Sequence, residues 1–233
     1  MASREAPVRR GLFTSGGRPY GAALLDLDGT LIDSNDAHAR AWSRALARFG
    51  HRVSASRIRR HIGKGGSELL REFVTRAERH FRGEAMGRTQ TKEFLKGFAR
   101  IEPFEGAARA VREMRRAGVR VVLASSADRR VVERALRRLR LDAVIDGFTC
   151  ADDVEKAKPF EDVFSLAIAR FRLAARRPVA IGDTPYDIAA AHQLGVPCIA
   201  LFSGGFPRKS LASADARFED MAHLWRDGRR LFA

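Results

Sequence analysis

The chain has 233 residues, 45% hydrophobic and 30% charged, with two cysteines and a formal net charge of +15. That balance excludes a disordered tract or a disulfide scaffold and suits one large domain, or a medium one with a smaller companion. The positive charge favours an anionic partner, whether phosphorylated metabolite, nucleic acid or acidic lipid, without choosing among them. Arginine outweighs lysine and is spread along helical stretches such as "VREMRRAG" and "RRVVERALRRLR", which read as solvated basic faces. Cys150 and Cys198 lie far apart without CxxC spacing, which argues against a zinc site and fits a reducing, cytoplasmic setting. No apolar run reaches transmembrane length, so no membrane partner is expected.

Residues 1–20 are basic and rich in Gly and Ser, with Glu5 the only acid, and lack the long apolar stretch of a secretory signal. They read as a disordered lead-in; a mitochondrial-type transit segment is the other reading. "ALLDLDGT" then predicts a strand, beginning near Leu24, that ends in two aspartates. From 36 to 103 the pattern is helical. "DAHARAWSRALARFG" (36–50), "SASRIRRHIG", "SELLREFVTRAERHF" and "RTQTKEFLKGFARI" contain no strand-like run. A strand–helix alternation resumes at "VRVVLASS" (119–126). It continues through strands at 143–150, 178–184 and 196–202, a helix at 159–171 with Pro159 in its first turn, and a helix at 185–195. "RFEDMAHLWRDGRRLFA" closes the chain as an amphipathic helix. The predicted fold is therefore α/β, a doubly wound parallel-sheet, Rossmann-like core of residues 21–35 and 104–233, with an all-helical domain (36–103) inserted into it.

Side chains two apart on a strand share a face, so Asp26 and Asp28 converge at the first strand's carboxyl end, where Gly29 lets the chain turn. Ser125 and Ser126 close the second strand, Lys158 sits in "EKAKP", and Asp183 and Asp187 sit in "GDTPYD". A parallel sheet would gather all of these into one mouth. Clustered carboxylates repel and are costly to bury, so a lysine and a divalent cation should lie among them; hard oxygen donors select Mg2+.

Four features in register, "DLDGT" (26–30), "SS" (125–126), "KP" (158–159) and "GDTPYD" (182–187), resemble the haloacid dehalogenase superfamily in its phosphatase branch. The resemblance covers about 21–35 and 104–205, and the helical block resembles the family's small cap. It implies a phosphoric monoester hydrolase that works through an aspartyl-phosphate. Asp26 would be the nucleophile. Asp28 would be general acid and then base, and bind Mg2+ through its backbone carbonyl. Ser125 and the backbone at Ser126 would hold phosphoryl oxygens, and Lys158 would tie nucleophile to phosphate. Asp183 would be a direct metal ligand with Asp26 and Asp28, and Asp187 either a further ligand or a residue just behind the ligands. Asp28 needs a raised pKa to hold a proton near neutrality. The dehalogenating and phosphonate-cleaving members lack an aspartate at the place of Asp28, which leaves P–O ester chemistry.

In the cap, "DAHARAW" resembles that of β-phosphoglucomutases, where a histidine at the place of His38 positions the acid/base aspartate. Lys64, flanked by Gly63, Gly65 and Gly66, lies where such caps carry a substrate loop. The bland readings are a solvated or packing His38 and a surface Lys64. Trp42 and Phe49 read as cap core, Asp33 as a helix cap or hinge, Arg129, Arg130 and His192 as surface, and Asp152 and Asp153 as a loop bordering the site. The substrate is expected to be a small phosphorylated metabolite, phosphoglycolate or a sugar phosphate. Nucleic acid is a disfavoured partner, and a monomer or homodimer is expected. A hexose-phosphate mutase and a non-enzymatic module binding anions or nucleic acid are the alternatives.

Overall fold

The computed structural model describes residues 18–232. The disordered segment expected over 1–20 lies outside the described residues except for its last three. Of these, Tyr20 is buried and its N–H donates to Leu231 O at 2.7 Å.

Six parallel strands form one sheet: β1 (Ala22–Leu25), β2 (Arg120–Ala124), β3 (Gly147–Thr149), β4 (Pro178–Gly182), β5 (Cys198–Leu201) and β6 (Ala216–Phe218), in the order β3-β2-β1-β4-β5-β6. Parallel strands buried on both faces are apolar throughout, and here alternate residues feed two different cores. Ala23, Leu25, Val121 and Leu123 face one side, under α5 (Ala107–Arg116), α6 (Arg129–Leu139) and α9 (Met221–Gly228). Ala22, Leu24, Val122 and Ala124 face the other, under α7 (Asp162–Arg170) and α8 (Pro185–Gln193). Strand order reverses at β1, which pairs with β2 on one side and β4 on the other. A parallel sheet opens a crevice at such a point, beyond the carboxyl ends of its strands.

Between β1 and α5 the chain makes the helices α1 (Asn35–Arg48), α2 (Ala55–Arg59), α3 (Gly66–Leu70) and α4 (Arg76–Gly97). They have their own apolar cluster, with Trp42, Leu46, Ile58, Leu69 and Met86 buried and Phe49 packed against them. The chain leaves the sheet and returns to it by neighbouring strands of backbone: Asp33 N–H donates to Glu102 O at 2.9 Å and Phe104 N–H to Leu31 O at 3.0 Å.

Four boundaries differ from the sequence reading. "SELLREFVTRAERHF" and "RTQTKEFLKGFARI" read as separate helical runs, but the chain breaks within the first, after α3, and α4 then runs unbroken for 22 residues from its cap at Thr75. The third strand is only Gly147–Thr149, because Val144 and Ile145 turn back onto Leu141 O. Pro159 is not in a first turn: α7 starts at Asp162, and the intervening turn directs Lys158 inward. The tail is not helix from its start, since Arg217 and Phe218 belong to β6 and Asp220 then caps α9. Leu25 is fully buried on the central strand, so Leu25→Ala should cost about 3 kcal/mol in urea unfolding. A loss below about 1 kcal/mol would show that this strand is not the packing centre described.

Candidate active site

β1 ends at Leu25, and the carboxylates follow on the turn. Asp26 N–H still donates to Ile181 O at 2.9 Å, which pins Asp26 against β4. Gly29 turns the chain at φ +81°, where an L side chain is strained and a Cβ would collide with Asp183 and Asn35. Asp183 follows β4. Asp187 lies in the first turn of α8, where Thr184 caps the helix and Asp187 Oδ2 accepts from Thr184 N–H at 3.0 Å and its hydroxyl at 2.6 Å.

Lys158 joins these loops. Its side chain is 1% exposed, with Nζ 2.6 Å from Asp26 Oδ1 and 2.7 Å from Asp187 Oδ1. Burial alone would lower the lysine's pKa, but the Asp187 and Asp26 carboxylates outweigh it and hold the ammonium above its ordinary range. Burial pushes the Asp26 carboxyl up to about 7, with Lys158 opposing and the charges of Asp187 and Asp28 adding. Burial likewise holds Asp183 well above the ordinary carboxylate range, reinforced by Asp26 and Asp187.

Oxygens of Asp26, Asp183 and Asp187 can lie within 4.8 Å of one another. Three carboxylates against one ammonium leave two negative charges in a buried place, and a divalent cation has the charge that offsets them. The donors are all hard oxygen, as Mg2+ requires. Asn35, whose Nδ2 donates to Asp183 Oδ2 at 2.9 Å and Gly204 O at 3.1 Å, leaves its buried Oδ1 without a partner beside this group. The residues therefore fit a magnesium site. The Asp28 side chain is not one of the three clustered carboxylates.

Asp28 points instead toward the helical block. Its Oδ1 accepts from Ser34 Oγ at 2.5 Å and lies 2.9 Å from His38 Nε2. Burial would raise its pKa, yet His38 and Ser34 outweigh burial and hold the carboxyl below its ordinary value. This corrects the expectation of a raised pKa, which considered burial and the neighbouring carboxylate but not the histidine. His38 is buried, stacked on Phe94 with ring centroids 3.7 Å apart, and Gln90 Nε2 lies 3.0 Å from its Nδ1.

Ser125 and Ser126 follow β2 on the other side of Asp26. Ser125 is buried and its Oγ accepts from Ala127 N–H at 3.1 Å; the Ser126 hydroxyl is buried without a partner among the described residues. A cavity of about 890 Å3 opens above Asp26 and Asp28 and is lined by both serines, His38 and Lys64. Lys64 reaches the cavity wall, but its Nζ is 2.6 Å from Glu72 Oε1. Asp26, Asp28, His38, Lys64, Ser125 and Ser126 thus line one opening, and Lys158, Asp183 and Asp187 lie buried against Asp26.

The remaining polar residues are settled by their contacts. Asp152 borders the cavity, but neither it nor Asp153 joins the carboxylate cluster: Asp152 accepts from Arg129 N–H at 2.6 Å, and Asp153 pairs with Arg129 at 2.8 Å and Arg170 at 3.3 Å. Arg130 pairs with Asp128, and His192 with Asp215 on an exposed helix face. Asp33 is exposed and its neighbour Ser34 occupies the cap position of α1. Sequence reasoning missed Thr30, Ser34, Asn35 and Gln90. Thr30 donates to Asp183 Oδ1 at 3.3 Å. The first three follow the paired aspartates within a few residues, at the start of a helix, which is a usable signal. Gln90 lies 52 positions from His38 and offered none.

Comparison with known proteins agrees with this geometry. The family model for haloacid dehalogenase-like hydrolases matches residues 23–201. The validoxylamine A 7'-phosphate phosphatase of Streptomyces hygroscopicus subsp. limoneus is 27% identical over 88% of this chain and 96% of its own length. A phosphoglycolate phosphatase encoded on a plasmid of Cupriavidus necator is 26% identical over 88% of this chain and 92% of its own. Among solved structures, a hydrolase from Pseudomonas syringae superposes with a TM-score of 0.82 at 25% identity, covering 91% of this chain and 99% of that one. CbbY from Rhodobacter sphaeroides, solved with phosphate, superposes with a TM-score of 0.72 at 25% identity over 88% of this chain and 96% of that one. The chain belongs to the haloacid dehalogenase-like hydrolase family and is an enzyme of its phosphatase kind.

Proposed function

We propose that the protein is a Mg2+-dependent phosphatase that hydrolyses a small phosphorylated metabolite through a phosphoryl group carried on Asp26. The observation that supports this most is the position of Asp26. It sits at the sheet's switch point, bound to Lys158 at 2.6 Å, with the unpartnered Ser126 hydroxyl at the end of the next strand and Asp28 two residues on. Asp26, Asp183 and Asp187, with the Asp28 backbone carbonyl, would hold Mg2+. The ion would supply charge neutralisation of carboxylate and phosphate alike. Lys158 keeps the nucleophile ionised and aimed, and its ammonium faces the negative charge that spreads over the phosphoryl oxygens. Ser125 and Ser126 donate to those oxygens.

A carboxylate oxygen of Asp26 attacks phosphorus, the P–O ester bond breaks, and the departing oxygen takes a proton from the Asp28–His38 pair. A water molecule then gives a proton back to that pair as it attacks phosphorus, releasing orthophosphate and the free Asp26 carboxylate. Asp28 alone is poorly protonated because His38 and Ser34 lower its pKa. The pair, joined at 2.9 Å, holds the transferable proton as a unit. His38 comes from α1, so the helical block (36–103) acts as a cap that completes the site and excludes bulk water, hinging at the adjacent crossings near 33–36 and 100–105.

Relatives' names support a small phosphate ester: validoxylamine A 7'-phosphate for one, phosphoglycolate for others. CbbY has also been solved with xylulose-(1,5)-bisphosphate. The His38–Asp28 contact also fits a hexose-phosphate mutase, in which a sugar hydroxyl replaces water as acceptor. The free, buried thiols of Cys150 and Cys198 fit a cytoplasmic enzyme, and we expect a monomer or homodimer. No helix among the described residues is long and apolar enough to cross a membrane.

Phosphate release across phosphoglycolate, hexose phosphates, nucleotides and β-glucose 1-phosphate is the test. Release should need Mg2+, stop with a chelator and fall at least about a thousandfold in Asp26→Asn. Release that survives chelator and substitution would refute the reading, and conversion of β-glucose 1-phosphate to glucose 6-phosphate would favour the mutase. His38→Gln should lower kcat by about ten- to a hundredfold with a smaller change in KM, whereas an unchanged kcat would leave Asp28 working without the histidine.

A further inference from the structure

The cavity wall carries a charge that the phosphatase reading does not use. Five lysine and arginine side chains line it: Lys64, Arg79, Arg88, Arg129 and Arg130. Four are neutralised by carboxylates, Lys64 by Glu72 at 2.6 Å, Arg88 by Glu84, Arg129 by Asp153 at 2.8 Å and Arg130 by Asp128 at 3.2 Å. Among the described residues, the half-buried Arg79 guanidinium makes no ion pair or hydrogen bond. A guanidinium in a cavity wall with all its donors open matches the flat, two-pronged face of a phosphate or carboxylate.

The helix that carries Arg79 is shaped for this. Arg79, Gly83, Gly87 and Gln90 all line the cavity and fall on one face of α4 at spacings of four, four and three. Glycine is the poorest helix former after proline. A Cβ at Gly87 would meet nothing within 4 Å, so the protein's own packing does not demand that glycine. At Gly83 a Cβ would press on Arg79 Cγ at 3.3 Å, so its absence leaves room for the arginine stem. The two glycines make a smooth floor between the arginine and the catalytic end.

The same helix is a ruler. Gln90 contacts His38, which contacts Asp28. Arg79 is eleven residues from Gln90, about 16 Å of helix rise. A cavity of about 890 Å3 is near the upper end of the ~300–1,000 Å3 usual for small-molecule sites. A two-carbon ester at Asp26 would leave the floor and Arg79 untouched.

We propose that Arg79, with the floor made by Gly83 and Gly87, forms a second anion subsite, and that the substrate is an elongated phosphate ester with another phosphate or a carboxylate at its far end. This rests on the phosphatase reading and names the substrate class of the same cavity.

Three series with lengthening carbon chains test it: plain alkyl phosphates, ω-carboxyalkyl phosphates and alkanediol bisphosphates, each assayed with wild type, Arg79→Gln and Arg79→Lys. The reading is the ratio of kcat/KM for a doubly anionic ester to that for the plain ester of equal length. In wild type the ratio should be near one for short chains and reach at least about tenfold for long ones, mostly through KM. Arg79→Gln should bring it back toward one, and Arg79→Lys should keep part of it. The series with the larger ratio identifies the distal group. A flat ratio at every length, or one unchanged in Arg79→Gln, overturns the subsite while plain esters are still hydrolysed. If none of the three series and no para-nitrophenyl phosphate releases phosphate, the phosphatase reading fails and the inference falls with it.

Discussion

The site depends on one buried ammonium. Lys158 is almost fully enclosed and sits between Asp26, at the end of β1, and Asp187, in the first turn of α8. Burying an isolated charge costs several kcal/mol, and leaving one uncompensated inside a protein is among the larger destabilisations known. The lysine and the carboxylates can therefore be buried only together. That mutual requirement fixes three loops distant in sequence at one point, and it also sets the chemistry. Burial, opposed by Lys158 and reinforced by the charges of Asp187 and Asp28, leaves Asp26 with a pKa pushed up to about 7. The three clustered carboxylates outnumber the one ammonium, and a divalent cation has the charge that would offset the difference.

The sheet supplies the place and the helical block supplies the rest. β1 lies between β2 and β4, so the loops after these three strands carry Asp26 with Asp28, Ser125 with Ser126, and Asp183 to one crevice. The block's elements contribute only where they touch this crevice. α1 brings His38 onto Asp28 and Asn35 onto Asp183, and α4 brings Gln90 onto His38. In the proposed reaction a phosphate would be met from one side by strand ends and from the other by helices. This division is why a helical insertion can alter which ester is taken without disturbing the carboxylate group beneath.

Much of this was legible in the sequence because it is local. Alternating apolar runs and helical stretches announced the parallel sheet, and each candidate residue fell just after a predicted strand. Asp26, Asp28, Ser125, Ser126, Lys158, Asp183 and Asp187 were found in this way, and the structure brings them to one mouth. What was not legible is what depends on packing between distant segments. The Asp28–His38 contact reverses the pKa shift expected for Asp28. Two separate helical runs were read where α4 is continuous across Gly83 and Gly87. The turn after Lys158 moved the start of α7, and β6 was hidden in three residues whose pairing with β5 no local pattern reveals. Lys64 appeared in sequence as a free cation among glycines, yet Glu72 neutralises it.

The central claim is that Asp26 carries the phosphoryl group. The most direct measurement is acid-quenched single turnover of para-nitrophenyl [32P]phosphate with Mg2+, using Asp28→Asn to slow hydrolysis of the intermediate, followed by peptide mapping. The account predicts hydroxylamine-labile label on the peptide that contains Asp26, absent when Asp26→Asn is added. Label on another peptide, or phosphate release with no labelled protein at any time, would contradict it.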